Sequence, residues 1–229
     1  LALTDHEAPY AHHCFTTDEF LMLTGYEAYI RPSAECIIDR FGPEIHMNLF
    51  AKDPDNLTFI GYDPNYCKYL SDEYVRSLPM SRDLGPRRYS PEYIQSFIDC
   101  AVENGYLVTY NHPCWSMESP EDILNLNNIF SLEVFNTCSV TENACEDNLA
   151  LYDSFLRRGK FLYLHGADDN HNLAPLGDFL SDSFGSWTMI LAQKLNYSAI
   201  IEALETGKFY ASTGPTIYSL EIVDGKAKL

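Results

Sequence analysis

The sequence predicts an α/β fold with a mainly parallel sheet or barrel, on three observations. Short apolar runs recur along the chain, amphipathic helical segments lie between several of them, and the runs end in turn residues or polar clusters. The predicted strands are residues 1–5, 20–24, 45–50, 106–110, 131–135, 161–165 and 187–192. Because these runs are almost continuously apolar, both faces of the sheet are expected to be covered.

Three helices are predicted from apolar spacing and end signals. The first begins at Ser90-Pro91, since proline suits the first helical position, and ends before Gly105. The second is predicted over residues 141–158 and the third over 197–206, each ending at a glycine. The apolar positions of the first helix follow the helical period at Ile94, Phe97, Ile98 and Ala101.

The composition of the chain favours a globular protein and argues against a membrane-spanning segment and a nucleic-acid partner. Hydrophobic residues make up 46% of the 229 residues, as in globular proteins, and no apolar run has the length of about 18 residues that a membrane-spanning helix needs. The formal charge of −18 repels a long polyanion, which argues against duplex nucleic acid as a partner. Seven cysteines without C-x-x-C spacing indicate reduced thiols, so we expect a cytoplasmic protein.

Titratable side chains stand in or directly after the predicted strands. They occur in Thr4-Asp5-His6-Glu7, at Glu27, at His46, in Asn111-His112-Pro113 and in the octapeptide HGADDNHN at 165–172. The carboxyl ends of parallel strands meet at one face, where active sites are built. Imidazoles and carboxylates gathered there form a mixed nitrogen and oxygen ligand set, which suits Zn, Mn or Fe.

Each of these signals has a structural alternative. A histidine inside an apolar strand, such as His46, is commonly a hydrogen-bonded core residue, and Asp168 and Asp169 are suited to capping a helix. Asn111-His112-Pro113 is also a strand stop, because proline disfavours helix in the preceding residue. The occurrence of such residues at successive strand ends favours a shared site.

The order of these motifs resembles a known family. The series TDH, GYE, EIHMNLF, NHP, EVFN, GADDNH and GKFYASTGP is similar to that of the PHP (polymerase and histidinol phosphatase) family over about residues 1–215. The closest likeness is to the stand-alone metal-dependent phosphoesterases and the carbamate-hydrolase-like metallohydrolases. The resemblance implies a distorted (β/α)7 barrel, in which residues 51–89 form an irregular insertion. Residues 216–229 would begin a C-terminal β-hairpin extension that turns at Asp224-Gly225.

The resemblance also implies which residues hold metal. Glu27 corresponds to the carboxylate that bridges two ions, and Asp169 is preferred to Asp168 because it keeps the D-x-H spacing of the family. Glu27, His112 and His171 would take part in catalysis. The implied metal ligands are His6, Glu27, His46, His112, Asp169 and His171.

One family motif falls outside the sequence. The motif H-x-H followed by Asp lies upstream of the TDH strand in the family, and this sequence begins at that strand. The motif either precedes the sequence or is lacking, and a start inside a strand favours the first alternative. A chain without it would have lost ligands for two of the ions.

The expected function is that of a metal-dependent phosphoesterase. Two or three divalent ions (Mn, Zn or Fe) would supply a metal-bound hydroxide that attacks a small phosphate ester such as a nucleotide, a short oligonucleotide or a sugar phosphate. The alternatives are a metal-dependent carbamate or carboxylic ester hydrolase and a non-catalytic PHP-like binding domain. The sequence does not predict the oligomeric state.

Three residues outside the ligand set are candidates for substrate contact. Arg87 and Arg88 lie in the insertion, beside Arg82, and an arginine there could receive a phosphate group, although a surface cluster is an equal alternative. Trp115 follows the NHP motif and could form a pocket wall or belong to the core.

Overall fold

Five strands form one mixed sheet, in the order in which they occur along the chain. This computed structural model describes residues 1–32, 43–145 and 148–228. The first three strands pair antiparallel, and the third, fourth and fifth pair parallel. The strands are β1 Gly25–Ile30, β2 Ile45–Ala51, β3 Tyr106–Tyr110, β4 Ile129–Asn136 and β5 Tyr163–Ala167.

Two smaller sheets follow along the chain. Strands β6 (Trp187–Ile190) and β7 (Phe209–Ser212) pair antiparallel. Strands β8 (Glu221–Val223) and β9 (Lys226–Lys228) form a hairpin, and Asp224 and Gly225 between them have positive φ. The turn predicted at Asp224-Gly225 therefore joins these two strands.

The described residues form six α-helices. Helix α2 begins as the sequence predicts, since Pro91 is its first residue and the Ser90 side chain accepts a hydrogen bond from the Tyr93 N–H. None of the six is long and apolar enough to traverse a lipid bilayer. Their bounds are α1 Asp72–Ser77, α2 Pro91–Glu103, α3 Pro120–Leu124, α4 Thr137–Asn143, α5 Leu149–Arg157 and α6 Tyr197–Glu205.

The predicted (β/α)7 barrel is wrong. In the described part of the chain the main sheet is open, its first three strands are antiparallel, and the helices are too few to alternate with seven parallel strands. The apolar runs at 1–5 and 20–24 make isolated bridges, such as Ala2 with Leu23, instead of full strands. An apolar run predicts a buried strand but carries no information about the direction of its neighbour, which explains the error.

The helix predicted over residues 141–158 is two helices. Helix α4 begins earlier, at Thr137, because the Asn136 side chain accepts a hydrogen bond from the Ser139 N–H and caps it. It ends at Asn143, because the next residue, Ala144, has a left-handed φ of 52°. Helix α5 begins at Leu149, and residues 146–147 of the predicted helix lie outside the described residues.

The alternation of side chains along β1 and β2 separates the core from a polar face. In β2, Ile45, Met47 and Leu49 are fully buried in the main hydrophobic cluster. His46 and Asn48 alternate with them and point to the opposite side of the sheet. Glu27 of β1 pairs with Asn48 of β2, so its side chain points to the same side of the sheet. The polar side chains therefore lie together on the face opposite the core.

Candidate metal centre

Glu27 lies at the centre of a group of histidines. Its carboxylate is buried, and one oxygen, Oε1, lies 3.1 Å from His46 Nδ1 and 3.4 Å from His112 Nε2. The other oxygen lies 3.4 Å from His6 Nδ1, and the Asn111 amide donates to Oε1 at 2.8 Å. Four separate segments of the chain therefore meet at one carboxylate.

The backbone explains why these segments meet. His6 is held beside β1 by a parallel bridge to Glu27, in which the Glu27 N–H donates to the Asp5 carbonyl. His112 lies two residues after the end of β3 and has a φ of 25°, which is unusual for a residue with a side chain. Its N–H donates to the buried Glu133 carboxylate at 2.8 Å, a contact that offsets the cost of this conformation.

The charges of the group depend on one another. Burial opposes charge on Glu27, but the neighbouring His46 and His112 outweigh it and hold the pKa of Glu27 well below its ordinary value. Burial likewise opposes charge on His46, but Glu27 and Glu44 outweigh it and raise the pKa of His46 to about 10. Both ring nitrogens of His46 face carboxylates, which only accept hydrogen bonds, so the ring carries two protons when no metal replaces one.

Asp169 and His171 lie across the pocket from Glu27. Asp169 Oδ2 is 4.0 Å from His112 Nε2, and the His171 ring lies 6.2 Å from the His6 ring. Asp169 has a φ of 52°, so the chain bends there and does not continue extended. The Asn136 amide donates to both Glu133 and Asp169, which ties this side of the pocket to the strand β4.

Asp168 points away from the pocket. Its carboxylate accepts hydrogen bonds from the N–H groups of Phe184, Gly185 and Ser186 and from the Thr137 hydroxyl. It therefore fixes the loop that precedes β6 and contacts no histidine of the group. Asp169 lines the pocket and Asp168 does not, and the role of Asp169 as a metal ligand stays a prediction.

The side chains enclose a cavity of about 220 Å³. Trp115 forms part of its wall, with ring centroids 5.2 Å from His46 and 4.9 Å from His112. Cys138 was not a candidate from the sequence, because its placement depends on α4 beginning directly at the end of β4. The cavity is lined by His6, His46, His112, Trp115, Cys138, Ser139, Glu142, Asp169, His171 and Leu173.

The arginines of the predicted insertion do not line this cavity. Arg87 is buried and forms a two-pronged ion pair with Glu7, with Nη2 2.6 Å from Oε2. Arg82 is exposed and lies 3.5 Å from Glu103, and Arg88 is exposed. Arg87 is therefore placed to anchor the insertion to the N-terminal segment, and substrate contact by Arg88 stays a prediction without a contact that supports it.

The donors around Glu27 fit a divalent ion. One ligand atom from each of His6, Glu27 and His46 lies within 4.8 Å of the other two. His6 Nδ1 is a buried atom that lies 3.4 Å from Glu27 Oε2 but makes no hydrogen bond within the described residues. A buried, unpaired imidazole nitrogen is costly unless it binds something, and two nitrogens with one carboxylate oxygen suit Zn, Mn or Fe.

Several contributors to the centre could not be singled out from the sequence. Asn111 and Glu133 belong to the NHP and EVFN motifs, but nothing in those motifs shows which carboxylate each would meet. Glu44 precedes β2 and binds His46 Nε2 at 2.8 Å. Comparison of the chain with protein-family models, curated proteins and solved structures finds no match.

Proposed function

We propose that the protein is a metal-dependent hydrolase of the PHP type that cleaves a small phosphate ester. The observation that supports this most is the convergence of His6, His46 and His112 on the buried Glu27 carboxylate. The buried side chains Glu27, His46 and His112 are costly to bury in charged form, and such groups are common at functional sites. The resemblance of the motif order to that family supports the same reaction class.

Different side chains of the cavity would have different roles in such a site. His6, Glu27 and His46 would hold one divalent ion, and His112 and Asp169 extend the donor set toward the opposite wall. When bound, divalent ions would lower the pKa of a water molecule toward neutrality and neutralise phosphate oxygens. Because the chain has a formal charge of −18, it needs such cations to attract an anionic substrate.

The cavity limits the size of the group that reacts. Its volume of about 220 Å³ is below the roughly 300–1,000 Å³ of sites that enclose a drug-sized ligand. It is large enough for a phosphate group with part of its ester. Trp115 and Leu173 provide apolar surface in the lining, against which the remainder of the substrate can pack.

A release assay tests the proposal. Metal-free protein is mixed with Mn²⁺, Zn²⁺ or Fe²⁺ and assayed for phosphate release from nucleoside monophosphates, dinucleotides and sugar phosphates, with carboxylic esters and carbamates as parallel arms. We expect phosphate release that requires a metal and stops with a chelator. Turnover confined to esters or carbamates would contradict the substrate class, and metal binding without turnover of any substrate would identify a non-catalytic domain.

A further inference from the structure

A second group of metal-binding side chains lies at the edge of the same pocket. Cys138 and Asp182 are buried, and His171 lies between them at the surface. One ligand atom from each lies within 4.8 Å of the other two. Cys138 belongs to the first turn of α4, whereas His171 and Asp182 come from the loop between β5 and β6.

The spacing of the thiol and the imidazole matches two ligands of one ion. Cys138 Sγ lies 3.6 Å from His171 Nδ1. A tetrahedral zinc ion with Zn–S of about 2.3 Å and Zn–N of about 2.0–2.1 Å separates these two ligand atoms by about 3.6 Å. The His171 ring also donates from Nδ1 to the Asp169 carbonyl at 2.7 Å, so it must give up that hydrogen bond and proton before the two donors share an ion.

The loop holds the third donor in place. Asp182 accepts hydrogen bonds from the His171 N–H, the Leu173 N–H and the Asn170 amide, which fold the loop around a carboxylate that is fully buried. The Glu142 carboxylate lies 3.8 Å from Cys138 Sγ. An ion at this position would thus meet two acids, one thiol and one imidazole.

We propose that Cys138, His171 and Asp182 bind a zinc ion, which is separate from the ion held at Glu27. Zinc displaces the thiol proton to water and is bound through the thiolate, the imidazole and one carboxylate oxygen. A thiolate favours zinc over manganese, because manganese prefers oxygen ligands. His171 would then bind this second ion and not the ion at Glu27. The zinc proposal rests on these donors and does not depend on the proposed hydrolysis.

Cobalt substitution tests this site without an activity measurement. Co²⁺ bound by a thiolate gives a charge-transfer band in the near ultraviolet, which a site of only nitrogen and oxygen ligands does not give. We expect the band when metal-free protein is titrated with Co²⁺ and its loss when Zn²⁺ is added. The Cys138→Ser variant should lack the band and bind Zn²⁺ at this site at least about tenfold more weakly.

The controls separate this site from the other thiols and from the Glu27 centre. Cys145 interacts with the neighbouring Cys114, so the Cys114→Ser variant tests the other thiol pair and should keep the band. The Glu27→Gln variant should also keep the charge-transfer band, even though it loses hydrolysis. A failure of the zinc proposal can therefore be distinguished from a failure of the proposed hydrolase function. Absence of the band in the parent protein, or its persistence in both Cys138→Ser and Cys138→Ala, would overturn the inference.

Discussion

The two sides of the candidate centre are held in place by different means. On one side, the strand-borne donors His6, Glu27 and His46 lie on β1, on β2 or on the segment bridged to β1. On the other side, the loop-borne donors Asp169 and His171 lie in a loop with positive φ at Asp169. The strand-borne donors are fixed by backbone pairing. The loop-borne donors depend on the Asp168 and Asp182 side chains, which accept hydrogen bonds from backbone N–H groups of the loop.

The surfaces around the two groups also differ. Glu27 and His46 lie on strands whose alternate side chains belong to the main hydrophobic cluster. The loop that carries the other donors exposes large apolar side chains to solvent, namely Leu176, Phe179 and Phe184. A loop with few buried apolar contacts opens at a lower free energy than a paired strand. We therefore expect changes in the strand-borne group to affect chemistry and changes in the loop to affect local stability.

The largest expected effect is that of Glu27→Gln. An amide cannot carry the negative charge that the three histidines and an ion share, so metal-dependent turnover should fall at least about a hundredfold. Far-UV circular dichroism should remain unchanged. Phosphate release and bound metal are measured together. Glu118→Gln is the control, because Glu118 is a partly buried carboxylate that accepts a hydrogen bond from Tyr89 outside the cavity lining. Unchanged turnover in Glu27→Gln would remove Glu27 from the centre.

Arg87→Met tests how firmly the strand-borne side is anchored. The substitution leaves the Glu7 carboxylate buried without its cation, so the free energy of unfolding should fall by about 3–5 kcal/mol. Arg82→Met removes an exposed guanidinium near Glu103 and should change it by less than about 1 kcal/mol. Urea unfolding measures both variants, and equal effects would show that the Glu7–Arg87 pair does not anchor the insertion.

Asp168→Ala and Asp169→Ala compare two adjacent residues of the loop. Removing Asp168 leaves three N–H groups without their acceptor, so the free energy of unfolding should fall by about 1–3 kcal/mol. Removing Asp169 should instead weaken metal binding more than removing Asp168 does, with little change in stability. Calorimetric metal titration and thermal unfolding distinguish the two effects. A larger loss of metal affinity in Asp168→Ala would reverse the assignment of the ligand.

The remaining expected effect is a pH dependence of the unfolding free energy of the metal-free protein. Because the pKa of His46 rises from 6.5 to about 10 on folding, the folded state binds more protons between these values. The stabilisation is complete below pH 6.5 and is lost as the pH rises through 10. His46→Gln should flatten the decline in unfolding free energy over this interval, whereas His13→Gln, at an exposed residue, should not. The same slope in the parent protein and in His46→Gln would show that His46 does not carry the extra proton.

The sequence predicts the strand-borne side better than the loop. His46 stands in the predicted strand 45–50, whose alternation indicates the face it occupies. Glu27 lies after the predicted strand 20–24, and its place in the centre was implied by the resemblance. The barrel could not be excluded, because strand direction depends on pairing between distant segments. Arg87 was interpreted as a candidate for substrate contact because its partner, Glu7, is far away in the sequence. Cys138 joins the pocket only because Asn136 starts α4 at the end of β4.

The position of Trp115 gives the protein an optical reporter. Its indole lies 5.2 Å from the ring of His46, which carries an extra proton in the metal-free protein and would exchange it for an ion on binding. Indole emission is sensitive to a cationic imidazole at this distance. The chain has one other tryptophan, Trp187, which is exposed and lies on β6. Replacing Trp187 by Phe would leave a single tryptophan, and its emission, excited selectively over that of the tyrosines, would follow the charge at the centre in real time.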